Sequence, residues 1–285
     1  MTSVFIGSHP TSCDKNLGNK LRFPEWVILH VPHDSTVVPA EVVDQFILGP
    51  SALELELLRM TDRHTQALFC AMGITQGQVV RAPVSRIVVD VERFEDVFME
   101  PMVQRGMGAI YTKTSEGAPL RRHLELTERN ALIDKWYRPH HERLTHAVED
   151  ALVTHGRALV IDAHSFPSAP LPYESDPRVD RPQICIGTDD FHTSKSLAES
   201  FVAIFGAAGF DVRLNSPFAG ALVPASHYRR DRRVAAVMVE VNRDLYMDEK
   251  TGERRPEFDA VAARICRANL VAVASWHVGH CNIVE

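Results

Sequence analysis

The sequence predicts an α/β fold in which a mixed, largely parallel central sheet is flanked by helices. Short apolar runs alternate along the chain with longer segments of helical periodicity, which is the order expected when crossover helices cover parallel strands. The length of 285 residues lies within the range of one large α/β domain. We therefore expect a single domain over residues 1–285, with its core at about residues 24–280.

Five short apolar segments are the predicted strands. Each is rich in β-branched residues and lacks the strict alternation of a half-exposed strand, so we expect them in the centre of the sheet. They span residues 26–31, 87–91, 158–161, 183–186 and 235–241.

Three longer segments with helical spacing of apolar residues are the predicted helices. They span residues 139–155, 194–208 and 257–275, and the last of them follows Pro256, a residue suited to the first helical position. The proline-rich residues 166–181 are expected to form an irregular loop over a site.

The composition restricts the functional class. Hydrophobic residues make up 45% of the chain and charged residues 24%, which is typical of a folded globular protein. The net charge of -6 provides no electrostatic reason to bind nucleic acid or an anionic membrane, so a small molecule is the expected partner. The five cysteines are odd in number and form no C-x-x-C pair, which favours neither a disulfide framework nor a thiolate metal site.

We find no targeting signal in the sequence. Residues 1–20 lack the basic start and the long apolar run of a signal peptide, and no segment approaches the roughly 18 apolar residues of a membrane span. We therefore expect a cytoplasmic protein. The oligomeric state stays open at this point.

Polar residues follow three of the predicted strands. His33 comes directly after the first strand, His164 after the third, and Glu240 at the end of the last. Because ligands of open α/β sheets bind at the carboxyl ends of the strands, we expect these side chains at one site. A single histidine after a strand is more often a packing residue than a ligand, but two at one sheet edge favour a metal.

Zinc is the metal that these side chains are expected to bind. A catalytic zinc ion takes about three protein ligands from His, Asp and Glu and keeps a position for water. His33, His164 and one carboxylate meet this requirement. Asp62 and Asp162 are both candidates for the carboxylate, because neither belongs to a short ligand motif.

Glu240 and two arginines are the other candidates for chemistry. Glu240 lies in an otherwise apolar strand, where burial beside a metal would suit it to act as a general base, although a salt bridge to Arg243 or Arg86 is the alternative. Arg86 and Arg93 flank residues 87–91 and are suited to bind a substrate carboxylate. Ion pairing with the neighbouring carboxylates is the alternative for each arginine.

Eight segments resemble the motifs of the N-formylglutamate amidohydrolase family, in the same order, over residues 27–249. Residues 31–39 resemble V-P-H-S-G-x-x-x-P, residues 61–69 resemble T-D-W-H-x-D-x-L-Y, and residues 85–93 resemble S-R-x-V-V-D-x-N-R. Residues 136–141, 162–165, 186–188, 218–220 and 240–249 resemble W-x-x-P-Y-H, D-A-H-S, L-G-T, F-K-G-G and L-E-L-A-Q-x-x-Y-M-D-E.

This resemblance implies an architecture like that of zinc carboxypeptidases and aspartoacylase, and an enzyme at the last step of one route of histidine degradation. The expected reaction is hydrolysis of N-formyl-L-glutamate to formate and L-glutamate. The implied ligands of one zinc ion are His33, Asp62 and His164, with His64 as the alternative to Asp62. The implied general base is Glu240, and the implied substrate-binding residues are Arg86, Arg93, Ser165 and Gly220.

The chain departs from the family motifs at several positions near the expected site. Asp34 and Ser35 replace Ser-Gly, Glu92 replaces Asn, Ala219 and Ala221 replace Lys and Gly, and Asn242 and Arg243 replace Ala-Gln. If it faces the ligand, Glu92 would repel a glutamate side chain, whereas Arg243 would attract one, so charge leaves the acceptance of N-formylglutamate open. The alternatives are therefore hydrolysis of another N-acyl amino acid or a small peptide, and a family member that binds a ligand without turnover.

Overall fold

The computed structural model describes residues 22–70, 73–174 and 176–281. Within these residues, six strands form one sheet. They are β1 (Val27–Val31), β2 (Val79–Arg81), β3 (Ala158–Phe166), β4 (Ile184–Gly187), β5 (Val212–Leu214) and β6 (Val234–Asn242). Their order across the sheet is β2-β1-β3-β6-β4-β5.

The directions of the strands confirm the predicted fold class. The neighbours β2, β1, β3 and β6 are parallel, β4 is antiparallel to β6, and β5 is parallel to β4. The sheet is therefore mixed and largely parallel. Parallel neighbours require long crossover connections, and most of the helices lie in these connections.

The helices flank this sheet. They are α1 (Pro50–Met60), α2 (Thr65–Phe69), α3 (Leu126–Leu132), α4 (Arg138–His155), α5 (Lys195–Ala207) and α6 (Phe258–Cys281), and a π-helical turn (Ile133–Tyr137) joins α3 to α4. Shorter 3-10 turns lie at Ala40–Gln45, Gln76–Gln78, Pro101–Arg105 and Arg243–Leu245. The three predicted helices correspond to α4, α5 and α6.

Local sequence signals explain where two of these helices begin or end. The Ser194 side chain accepts a hydrogen bond from the amide of Leu197 (3.2 Å) and caps the start of α5. Gly156 follows α4 with φ of +72°, a left-handed conformation that glycine adopts without the strain of a Cβ atom. The chain can therefore turn directly from α4 into β3.

The register of the sheet places polar side chains in two rows on one face. In the inner row, His30 of β1 pairs with Asp162 of β3, and Asp162 pairs with Met238 of β6. In the outer row, His164 pairs with Glu240. Residues two apart on a strand point to the same face, so both rows face the same side of the sheet.

Two apolar clusters support the fold. The first contains the sheet and the buried faces of α4, α5 and α6. The second contains the buried side chains of residues 82–137 together with parts of residues 42–60. The prediction of a single domain over residues 1–285 stays a prediction.

One of the five predicted strands is wrong. The amides of Val88 and Val89 donate to the carbonyl oxygen of Ser85 (2.9 and 3.3 Å), which bends residues 87–91 into a turn. The amide of Asp90 then donates to the carbonyl oxygen of Ala109 (2.8 Å). The apolar side chains of this run are buried in the second cluster, so its hydrophobicity reports burial and not extended backbone.

The remaining expectations concern irregular and terminal segments. Among its described residues, the predicted loop 166–181 contains no helix or strand beyond Phe166, the last residue of β3. The expectation for residues 1–20 lies outside the described residues. Among the helices that are described, none is both long enough and apolar enough to cross a membrane.

Candidate metal centre and active site

His33, Asp62 and His164 lie together at the carboxyl edge of the sheet. His33 follows β1, Asp62 follows α1, and His164 lies within β3. The Nδ1 atoms of His33 and His164 are 3.7 and 3.2 Å from Oδ2 of Asp62, and one donor atom from each residue lies within 4.8 Å of the others. All three residues are almost completely buried, with exposed fractions of 1 to 3%.

The opposite edges of both imidazole rings contact carboxylates. His33 Nε2 is 2.9 Å from Oδ1 of Asp90, and His164 Nε2 is 3.0 Å from Oε1 of Glu92 and 3.2 Å from Oδ1 of Asp162. A carboxylate favours the tautomer in which Nε2 carries the proton, because the carboxylate accepts a hydrogen bond from it. Each Nδ1 is then left as an electron-pair donor.

This arrangement fits a divalent cation. Two Nδ1 lone pairs and the Oδ2 atom of Asp62 face one another, and acceptors at this spacing repel unless a cation or a proton lies between them. His33 Nδ1 is buried and has no hydrogen-bond partner among the described residues. Two imidazoles and one carboxylate are the ligand types of catalytic zinc sites. The donor set therefore fits the expected ion.

Asp90 is held in place as an ionised partner for His33. Its Oδ2 atom accepts a hydrogen bond from Arg86 Nη2 (2.9 Å) and another from the Tyr111 hydroxyl. Burial opposes ionisation, but Arg86 and His33 outweigh it and hold the pKa of Asp90 well below its usual range. Sequence reasoning did not assign Asp90 a role. The feature of the sequence that could have indicated a role is the position of Asp90 within the family motif, two residues before Glu92.

Asp62 is also ionised, because cationic and polar groups surround it. Its Oδ1 atom is 2.9 Å from Arg243 Nη2, and its Oδ2 atom accepts a hydrogen bond from the Ser165 amide (3.2 Å). Burial opposes ionisation of Asp62, but the neighbouring His164 and His33 imidazoles and the charge of Arg243 outweigh it and hold the pKa of Asp62 well below the usual range. Of the two candidate carboxylates, Asp62 is the one that faces both Nδ1 atoms.

The other proposed ligands lie elsewhere. His64 Nε2 is 2.9 Å from the carbonyl oxygen of Gly252, and its ring packs against Phe258 at a centroid distance of 5.7 Å. Asp162 belongs to the inner row, where its Oδ1 atom is 2.8 Å from His30 Nδ1. His30, Glu92 and Asp162 form a second group of potential donors within 4.8 Å of one another.

Glu240 lies beside His164 with a free carboxylate oxygen. Its exposed fraction is 8%, and its Oε2 atom is buried without a hydrogen-bond partner among the described residues. Burial raises the pKa of the Glu240 carboxyl to about 8, and the negative charges of Asp62 and Glu92 act in the same direction. A carboxyl with a raised pKa at the edge of a cluster of potential metal ligands is suited to exchange protons near neutral pH.

The four predicted substrate-binding residues differ in accessibility. The Arg86 side chain is engaged with Asp90 and is 11% exposed, whereas that of Arg93 is 24% exposed, with its Nε atom 3.8 Å from Asp90 Oδ2. The Ser165 hydroxyl is 3.3 Å from Arg243 Nε and is buried. Gly220 lines a cavity.

This cavity is large and opens beside the inner row. Its volume is about 790 Å³, and Asp162, Glu92 and Met238 form part of its wall. Arg93 and Gly220 also line it. The cavity therefore reaches the carboxylates that contact the Nε2 edge of His164.

Comparison with known proteins identifies the family. The family model described as N-formylglutamate amidohydrolase matches residues 26–247, which is most of the chain and includes all of the clustered residues. This chain belongs to the N-formylglutamate amidohydrolase family. The predicted family resemblance is thereby confirmed.

Two curated relatives are N-formylglutamate deformylases. The protein from Pseudomonas aeruginosa is 26% identical over 258 residues, which cover 88% of this chain and 93% of that protein. The protein from Pseudomonas putida is 28% identical over 202 residues, which cover 69% of this chain and 74% of that protein.

Two solved structures share the fold of this family member. An N-formylglutamate amidohydrolase from Ralstonia eutropha aligns with a TM-score of 0.73 and 23% identity, over 90% of this chain and 94% of that one. A gene product from Agrobacterium tumefaciens aligns with a TM-score of 0.64 and 22% identity, over 88% and 91%. At these identities the likeness supports the fold alone.

Proposed function

We propose that this chain is a metal-dependent amidohydrolase that cleaves the amide bond of an N-acyl amino acid. N-formyl-L-glutamate, cleaved to formate and L-glutamate, is the first substrate we assign, because the curated relatives are named for it. The observation that carries the proposal is the pair of Nδ1 atoms that face Asp62. The Oε2 atom of Glu240, which has no hydrogen-bond partner within residues 22–70, 73–174 and 176–281, lies nearby.

His33, Asp62 and His164 are the proposed ligands of one divalent ion, and we expect zinc. When bound, such an ion supplies Lewis-acid activation of a water molecule and of the substrate carbonyl. Asp90 and Glu92 orient the two imidazoles through their Nε2 atoms. This orientation keeps each Nδ1 directed at the centre of the cluster.

Glu240 is the proposed general base. Its carboxylate accepts a proton from the attacking water and then transfers the proton to the nitrogen of the leaving amino acid. The amide bond breaks as that nitrogen becomes neutral, and the acyl carbon leaves as a carboxylate. Arg93, the more exposed of the two arginines proposed for the substrate, would bind the α-carboxylate. No covalent acyl-enzyme is required.

Metal analysis beside an assay tests this proposal. Purified protein should contain about one zinc ion per chain, and it should release formate and glutamate from N-formyl-L-glutamate. The His164→Ala variant should lose both the metal and the activity. The exposed His123 provides a matched control, since His123→Ala should retain both. A wild-type protein that takes up no divalent metal under replete conditions would contradict the proposal.

Another N-acyl amino acid is the second candidate for the substrate. The cavity of about 790 Å³ favours it because its surface is mainly apolar, and such a surface gains free energy by covering an apolar side chain and loses it by desolvating a second carboxylate. The cytoplasmic location, expected from the sequence, and the role in histidine degradation, implied by the family resemblance, stay predictions.

A further inference from the structure

Glu92 stands at the boundary between the metal-ligand cluster and the cavity. Its Oε1 atom is 3.0 Å from His164 Nε2, its Oε2 atom is 4.0 Å from His33 Nδ1, and its side chain is 14% exposed. The same residue lines the cavity, as does Asp162. A substrate that reaches the ligand cluster from the cavity must therefore pass two carboxylates.

Most of the surface exposed inside the cavity is apolar, although Glu95, Asp96 and Glu142 add carboxylates to its wall. Met238 of β6 and Leu222 line the cavity together with Phe94, Met99 and Tyr228. Phe94 and Met99 are 49 and 62% exposed, so their apolar surface is available to a ligand. Such a lining gains free energy by covering an apolar group and loses it by desolvating a charged one.

The positive charges that line the cavity are largely neutralised. Arg138 pairs with Glu95 and Asp134. Burial lowers the pKa of His141 to about 4, so this ring is neutral at pH 7. Among the described residues, Arg93 forms one ion pair, with Asp90 at 3.8 Å. Arg93 is therefore better placed than Arg138 to bind a ligand carboxylate.

From these observations we infer that the cavity binds the side chain of the amino-acid part of the substrate, and that this side chain is large and uncharged. Arg93 binds the α-carboxylate, and Glu92 is a specificity-determining residue that disfavours a second carboxylate beside it. The inference rests on the proposed amidohydrolase activity and concerns the substrate class of the same site. N-formyl amino acids with aromatic or long aliphatic side chains are the predicted class.

Comparison of substrates on the metal-loaded enzyme tests the inference. We expect kcat/KM for N-formyl-L-phenylalanine to exceed that for N-formyl-L-glutamate by about tenfold, which is an ordinary effect for one apolar group in a matching pocket. The Glu92→Gln variant keeps an acceptor for His164 Nε2 and removes the charge. It should shift this ratio towards N-formyl-L-glutamate by about tenfold, whatever its effect on the rates themselves.

A cavity-filling variant provides an independent test. Ala219 lines the cavity and is exposed, so Ala219→Trp should lower kcat/KM for N-formyl-L-phenylalanine by about tenfold with little effect on N-formylglycine. Ala203→Trp, at an exposed position of α5, is the matched control and should affect neither substrate. Dissociation constants from calorimetry should follow the same order as kcat/KM.

The possible outcomes separate this inference from the proposed function. A preference for N-formyl-L-glutamate that Glu92→Gln leaves unchanged would overturn the inference and keep the amidohydrolase. An equal fall in kcat/KM for N-formyl-L-phenylalanine and N-formylglycine in Ala219→Trp would also overturn it. Tighter binding of substrates with long N-acyl groups than of substrates with large side chains would do the same. If metal-loaded enzyme hydrolyses no N-formyl amino acid, the proposed function fails, and the dissociation constants then decide the inference about the cavity.

Discussion

Glu240 and His164 are paired in the register of the neighbouring parallel strands β6 and β3, so both side chains leave the same face of the sheet. This pairing places a buried carboxylate oxygen, which has no hydrogen-bond partner in the described part of the chain, beside a proposed metal ligand. The relationship depends on register, because a shift of one residue would move Glu240 to the opposite face.

Replacement of Glu240 by Gln should abolish most of the activity without loss of metal. Gln cannot accept the proton of the attacking water, and loss of a general base lowers rates by about 10² to 10⁴-fold. Steady-state assays of kcat together with elemental analysis measure the two effects. The exposed Glu199 offers a control in Glu199→Gln, which should behave as wild type. If Glu240→Gln keeps a near-normal kcat, another group is the general base.

The stability of the metal-free protein should depend on pH through Glu240. Burial raises the pKa of this carboxyl from 4.5 to about 8, so the folded chain binds the proton more tightly than the unfolded chain. The stabilisation that this bound proton gives to the folded state is complete below about pH 4.5, and it is lost as the pH rises through about 8. Within this window the slope is at most about 1.4 kcal/mol for each unit of pH.

Urea denaturation of wild type and Glu240→Gln at several pH values isolates this contribution. The other ionisable groups are common to both proteins, so their effects largely cancel in the difference between the two free energies of unfolding. The free energy of unfolding of wild type should fall relative to that of Glu240→Gln as the pH rises through the window of about 4.5 to 8. A difference independent of pH would show that Glu240 titrates normally.

Asp90→Asn should weaken metal binding although Asp90 is not a proposed ligand. The variant removes the charge that holds the Nε2 proton of His33, and loss of such a partner lowers metal affinity by about 10- to 100-fold. Competition titration with a chelator measures the affinity. Tyr111→Phe removes a hydrogen bond to Asp90 and keeps the charge, so its effect should be smaller. Equal affinities in all three proteins would refute a positioning role.

Gly187→Ala should destabilise the fold. A Cβ atom at this position would lie 2.3 Å from Met238 Cε and 2.6 Å from the carbonyl oxygen of Gly220, and such overpacking costs about 1 to 3 kcal/mol. At Gly206 in α5, no heavy atom of the described residues lies within 4 Å of the corresponding point, apart from the neighbouring residues and the backbone of the helix itself. Gly206→Ala is the matched control and should be neutral or stabilising by up to about 1 kcal/mol. Thermal or urea denaturation distinguishes the two.

The central strands and three proposed catalytic positions were predictable from the sequence. Apolar runs rich in β-branched residues indicate buried segments, and four of the five such runs form the strands β1, β3, β4 and β6. Parallel strands bring their carboxyl ends to one edge. His33, His164 and Glu240 follow from that rule, and the roles proposed for them stay predictions.

The sequence alone also had limits at this site. Local pattern could not distinguish Asp62 from Asp162, since nothing in either segment reports the direction of a side chain. It also assigned a strand to residues 87–91, because an apolar run reports burial and does not report whether the backbone is extended. Comparison with the family motifs identified Glu92 as unusual without indicating what it contacts.

Tertiary structure decided these points through long-range contacts. Asp62 faces the two Nδ1 atoms because its amide donates to the carbonyl oxygen of His33 (2.9 Å) and because Arg243 holds its other oxygen. The turn at residues 87–91 brings Asp90 to His33 and Glu92 to His164. The apolar patterns therefore determined the positions of four of the six described strands, β1, β3, β4 and β6. Contacts between residues distant in sequence determined which side chains converge, because neither hydrophobicity nor spacing encodes such partners.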